Sequence, residues 1–149
     1  MTHIHVSTLL NASPERVWEL VDDIESHKEW MADAVDIHIT SNQREGLGTT
    51  FEVPTKVGPL QLTDHMEITE WEPGAVMGVR HSGLVTGEGR FTLDPAGANR
   101  TEFAWTEELH FPWWMGGPIG GFFGAKILGA IWRKNLRALG ERVDAAGMG

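Results

Sequence analysis

One helical pattern near the C-terminal end constrains this chain more than anything else in it. From Pro112 to Val143 the sequence reads PWWMGGPIGGFFGAKILGAIWRKNLRALGERV, a Trp pair and a Gly/Pro-rich hinge leading into one long helix. On a period of 3.6, Ile127, Leu128, Ile131, Trp132, Leu136, Leu139 and Val143 share one half. Lys126, Arg133, Lys134, Arg137 and Glu141 share the other, with Arg142 near the edge. A helix patterned in this way must lie along another layer. Near its start, Gly121, Gly124, Ala125 and Gly129 occupy inward positions where large side chains are expected. Small residues there either admit a second backbone or leave a space unfilled. We read them as a space, and expect a ligand in it.

The layer that this helix covers is written in the middle of the chain. Thr2–Leu10 alternates, with Ile4, Val6, Thr8 and Leu10 on one face and His3, His5, Ser7 and Leu9 on the other, as a half-buried strand does. Ser13 followed by Pro14 marks a helix start. Val17, Trp18, Leu20, Val21 and Ile24 then give a short amphipathic helix, and Glu25–Met31 a second one, with Trp30 at its end. Strand patterns follow at Ala34–Thr40, Thr49–Thr55, Leu60–Trp71, Ala75–Ser82, Leu84–Asp94 and Thr101–Phe111. They are separated by turn chemistry such as Gly58-Pro59, Pro73-Gly74 and Ser82-Gly83. Connections this short make neighbours antiparallel. The expected fold is α+β, in a single domain over residues 1–149. A curved antiparallel sheet of about seven strands wraps around the C-terminal helix, with two short helices after the first strand.

That order, with the opening VSTLLNASPERVWELVDDIESHKEW, resembles the START-like (SRPBCC) helix-grip superfamily, which includes polyketide cyclase/dehydrase and lipid-transport proteins. Leu10, Ala12, Pro14, Val17, Trp18, Trp30, the Glu72-Pro73-Gly74 turn, the strand TEFAWTEELHFPW and the Gly-rich entry to the last helix carry the resemblance over the whole chain. Membership implies a hydrophobic cavity. It leaves activity open, because the superfamily includes lipid and hormone carriers, aromatic polyketide cyclases, ring-hydroxylase subunits and stress-response modulators.

Composition narrows the rest. Cys is absent, which excludes disulfides and thiolate metal sites and fits a reducing, cytoplasmic setting. The N-terminal MTHIHVST has neither a basic start nor an apolar core, so no secretory signal is expected. The uncharged run Phe111–Ala125 is shorter than the roughly 20 residues a membrane helix needs. A net charge of −9 argues against general nucleic-acid binding. Residues 126–142 nevertheless hold five Lys/Arg against one Glu, either a solvated face or a basic one for an acidic partner or anionic lipid.

Alternation also sorts the candidate chemistry. Leu60, Leu62, Asp64, Met66 and Ile68 share one face of their strand, and Thr101, Phe103, Trp105, Glu107, Leu109 and Phe111 one face of theirs. Asp64 and Glu107 therefore stand on apolar faces, where burial raises a carboxyl pKa and suits it to proton transfer. The alternative is a wet or hydrogen-bonded strand end. His81, in step with Met77 and Val79, is the third candidate, and Arg80 is either a counter-ion or a surface residue. The expected cavity wall is Trp30, Phe51, Val53, Met66, Phe91, Trp105, Trp113, Phe123 and Ile127. His65 and His110 should point away from it. His3-x-His5 lacks a third ligand, so no metal is expected, and no cofactor motif is present: GGPIGG lacks the phosphate-binding patterns and Pro118 removes an N–H. Trp113, Trp114, Ile119, Phe122 and Phe123 form an apolar cluster that is a cavity lid, a dimer contact or a lip making transient membrane contact. The expected function is binding of a hydrophobic or aromatic small molecule (a lipid, steroid or polyketide-like compound) by a monomer or homodimer. The alternatives are a cyclase/dehydrase-type enzyme using Asp64, Glu107 or His81, and a protein-interaction or stress-response modulator.

Overall fold

The computed structural model describes residues 2–115 and 117–147, with the side chains of residues 115–123 outside that description. The chain opens with β1 (Thr2–Leu10), α1 (Pro14–Val21) and a 3₁₀ segment, Ile24–Glu29. Six strands follow: β2 (His38–Ile39), β3 (Thr50–Val57), β4 (Leu60–Glu72), β5 (Val76–Ser82), β6 (Thr86–Pro95) and β7 (Thr101–His110). A 3₁₀ turn, Trp113–Met115, leads into α2 (Gly117–Ala145). The seven strands form one antiparallel sheet in the order β1-β7-β6-β5-β4-β3-β2. The last strand in sequence thus closes on the first, and the others peel away from it as a meander. No helix among the described residues is long and apolar enough to cross a membrane.

Local chemistry accounts for the element ends. Ser13 Oγ accepts from the Arg16 amide at 3.4 Å and Pro14 occupies the first turn of α1, a cap of the kind that contributes about 1 kcal/mol. At the far end, α2 lies along β1 and buries Trp132, Asn135, Leu136, Leu139 and Val143, while Arg133, Lys134 and Arg137 face solvent. Phe103, Leu10, Ile24, Ile68, Leu136 and Leu139 are fully buried between the layers.

Strand ends shift by a residue or two, and three segments depart further from the sequence expectation. The run Ala34–Thr40 is a strand only at His38–Ile39. Before that, Val35 and Lys56 still exchange amide bonds across to Pro54 and Asp33, but Asp36 Oδ1 takes the Ile37 amide and interrupts the ladder. Glu25–Met31 tightens to the 3₁₀ segment Ile24–Glu29. The helix begins at Gly117, so most of the expected hinge belongs to its opening turns.

Candidate functional site

Between the concave sheet and α2 lies a cavity of two lobes. The outer lobe, about 330 Å³, is walled by Val57, Leu60, Leu62, Val85, Leu109, Phe111, Gly124, Ile127 and Leu128. The inner lobe, about 100 Å³, is walled by His27, Met31, Ala34, Ile37, Phe51, Val53, Met66, Met77, Val79, Phe91 and Trp105. Asp33, Thr55, Asp64, His81, Glu107 and Trp132 border both. A polar waist therefore divides two apolar chambers. Leu60, 39% exposed, and Ile127, 53% exposed, place the mouth at the outer lobe.

The sheet builds the waist. Glu107 on β7 pairs across the ladder with Gly89 on β6. A Cβ at position 89 would lie 2.2 Å from the Glu107 carboxyl, so glycine there is what gives this carboxylate its room. Glu107 is buried and accepts twice, from His81 Nε2 at 2.8 Å and from Trp105 Nε1 at 3.1 Å. Burial works against the imidazolium of His81. The hydrogen bond and charge of Glu107, with Asp64 beyond, outweigh that and raise its pKa. Asp64 takes the Thr55 hydroxyl at 3.1 Å. Its pKa is raised by burial first and by Glu107 and Asp33 next, against the opposing pull of His81 and Thr55. The three catalytic candidates read from alternation thus stand together at one place.

Across the cavity, α2 and the segment before β2 supply the rest. Asp33 accepts from Trp132 Nε1 at 3.2 Å and from Asn135 Nδ2 at 2.8 Å, while Asn135 Oδ1 takes the Ala32 amide at 3.0 Å. The indoles of Trp105 and Trp132 stack at 4.3 Å and 12°, joining sheet to helix beside the waist. His27 at the inner lobe donates Nε2–H to the Val21 carbonyl at 2.7 Å. Desolvation depresses its pKa to about 4 despite that bond, so its ring is neutral. Sequence reading missed Asp33, Asn135 and His27. Asn135 carried a signal, a carboxamide on the inward arc of α2 between Trp132 and Leu139. His27 and Asp33 lie in segments with no clear period.

The remaining expectations divide. Phe51, Val53, Met66, Phe91 and Trp105 border the inner lobe, and Ile127 the outer. Trp30 does not border either. It is buried behind the wall, its ring against Phe91, Phe103 and Trp105, where it buttresses the aromatic layer. Trp113 is 85% exposed and also outside the wall, because the cavity edge ends two residues earlier at Phe111. The Phe123 side chain, like those of Ile119 and Phe122, lies outside the described residues. Of the small residues on α2, Gly124 borders the outer lobe, whereas Gly129 packs against its own helix's Arg133. Arg80 is no counter-ion to the waist. Adjacent strand residues point to opposite faces, so with His81 inward Arg80 faces out and pairs with Glu67 at 2.9 Å. His3 and His5 engage Glu108 and Thr106 separately on the outer face. Among the described residues, no group of three His, Cys, Asp or Glu side chains is placed to hold a metal ion.

A family model described as polyketide cyclase / dehydrase and lipid transport matches residues 1–144. Among solved structures, a Thermus thermophilus protein superposes with a TM-score of 0.84 at 22% identity, covering 97% of this chain and 98% of that one. A START superfamily protein from Mycobacterium smegmatis gives 0.77 at 16%, covering 98% and 99%. The Zhui aromatase/cyclase from Streptomyces gives 0.70 at 18%, covering 95% and 90%. No curated sequence matches this chain. At these identities the likeness establishes the fold, and chemistry has to be argued from the cavity itself.

Proposed function

The chain belongs to the polyketide cyclase/dehydrase and lipid-transport family, and from that premise we propose that it binds a hydrophobic or aromatic small molecule inside the sheet. The ligand's apolar body fills the outer lobe and its polar group reaches the waist. The observation that carries this reading is an apolar chamber of about 330 Å³ behind a mouth at Leu60 and Ile127, ending on a cluster of buried polar side chains. Such chambers, mostly apolar with a few convergent polar groups, are where small molecules gain affinity from burial and orientation from the polar contacts. Titrating the protein with lipids, steroids and polycyclic aromatics while following tryptophan fluorescence tests it, since Trp105 and Trp132 flank the waist. Quenching or a spectral shift by at least one class is expected. No perturbation by any of them would overturn the reading.

The His81–Glu107 pair favours a second reading, a cyclase/dehydrase-type proton transfer on a bound poly-β-carbonyl compound. There His81 would exchange a proton with the substrate while Glu107 holds the ring in place, and Asp64 would act as the base. Full turnover of such a substrate by both Glu107→Gln and Asp64→Asn would remove that assignment.

A further inference from the structure

The waist has an imbalance that narrows the ligand class. Resting on the binding reading above, we propose that the chamber selects ligands whose polar group donates hydrogen bonds, and above all a protonated amine on an apolar or aromatic body. Two independent counts lead there.

The first is charge. Asp33, Asp64 and Glu107 border both lobes, faced at the waist by the His81 imidazole, while the other imidazole of the cavity, His27 in the inner lobe, is neutral. Arg90 borders the inner lobe, but its guanidinium is turned out to Glu70 on the exposed face. No other Lys or Arg borders either lobe among the described residues. A cation entering this low-dielectric space meets unbalanced negative charge, while a carboxylate is repelled.

The second is hydrogen-bonding capacity. The indole N–H of Trp105, the indole N–H of Trp132, the Asn135 amide, the Thr55 hydroxyl and His81 Nε2 each donate to a waist carboxylate already. Each ionised carboxylate can accept about four hydrogen bonds, against two at Glu107, two at Asp33 and one at Asp64. The waist has acceptors to spare, and of the described side-chain donors that border it only His81 Nδ1 is not already engaged. A ligand acceptor, such as a carboxylate or a ketone, finds few partners. An ammonium finds several.

The test is a head-group series on one skeleton: 2-(2-naphthyl)ethylamine, 2-(2-naphthyl)ethanol and 2-naphthylacetate, titrated calorimetrically at neutral pH into the unmodified protein. The amine is expected to bind about tenfold or more tighter than the alcohol, and the acetate weakest. In Asp64→Asn the amine's advantage over the alcohol should shrink to about threefold or less. Alcohol or acetate binding as well as the amine would overturn the selectivity and leave the binding reading standing. Failure of all three to bind would overturn the amine proposal and leave the binding reading to the titration with lipids and steroids. The comparison in the unmodified protein decides the matter even where a variant does not fold.

Discussion

His27 and His81 border one cavity and hold their protons in opposite ways. His27, enclosed by Trp30 and Phe91 with only a carbonyl to bond, has its pKa lowered to about 4. The unfolded chain therefore takes up a proton there near pH 6.5, before the folded one does. Stability contributed by neutral His27 is complete above that pH and drains away as pH falls toward 4, by up to about 3 kcal/mol. Denaturant titrations between pH 7 and pH 4 should show this slope in the parent and a flatter one in His27→Gln. An unchanged slope would remove His27 from the acid limb. His81 runs the other way: its raised pKa makes a contribution present below pH 6.5 and lost as pH rises through the folded value. A second expectation concerns Gly89. Alanine there puts a methyl into the Glu107 carboxyl, and should cost about 1–3 kcal/mol by denaturation. It should also weaken binding of a naphthyl amine. Neutral behaviour in both assays would mean that Glu107 is not held where the ladder puts it.

At the scale of elements, legibility followed periodicity. Alternation in β4, β5 and β7 assigns Asp64, His81 and Glu107 to inward faces from the sequence alone. The 3.6 period likewise identified the buried stripe of α2. Where the backbone leaves a regular period, nothing in the sequence says which way a side chain turns. Asp33 sits in the irregular stretch before β2 and His27 in a 3₁₀ segment, so neither could be assigned to the cavity. Trp30 shows the opposite failure. Expected in the wall, it is buried behind Phe91 and Trp105, which border the inner lobe, with Phe103 also against its ring. Asn135 is the joint between α2 and the irregular stretch, bonding both Asp33 and the Ala32 amide. Asn135→Ala takes away the partner of the Ala32 amide and of Asp33 Oδ1 and should lower the denaturation free energy by about 1–3 kcal/mol. A loss below half a kcal/mol would show that the segment is held by other contacts.

Over the whole molecule, a sheet that curls on one helix leaves volume that its side chains do not fill, and Gly124 is one place where α2 leaves it open. Among the described residues, a Cβ added there meets the Phe111 ring, at 3.6 Å. Gly124→Leu should therefore fill part of the outer lobe and raise stability by about 0.5–1 kcal/mol through helix propensity, yet weaken ligand binding tenfold or more. Lower stability would mean that the space is not there. Opposed trends in stability and affinity are the mark of a cavity kept for a guest. The most direct measurement is a crystal structure of the protein grown with 2-(2-naphthyl)ethylamine. This account expects the naphthyl group in the outer lobe between Leu62, Leu109 and Leu128, with its nitrogen within hydrogen-bonding distance of Asp64 or Glu107. An interior closed by its own side chains, with the compound absent or on the outer surface, would contradict it.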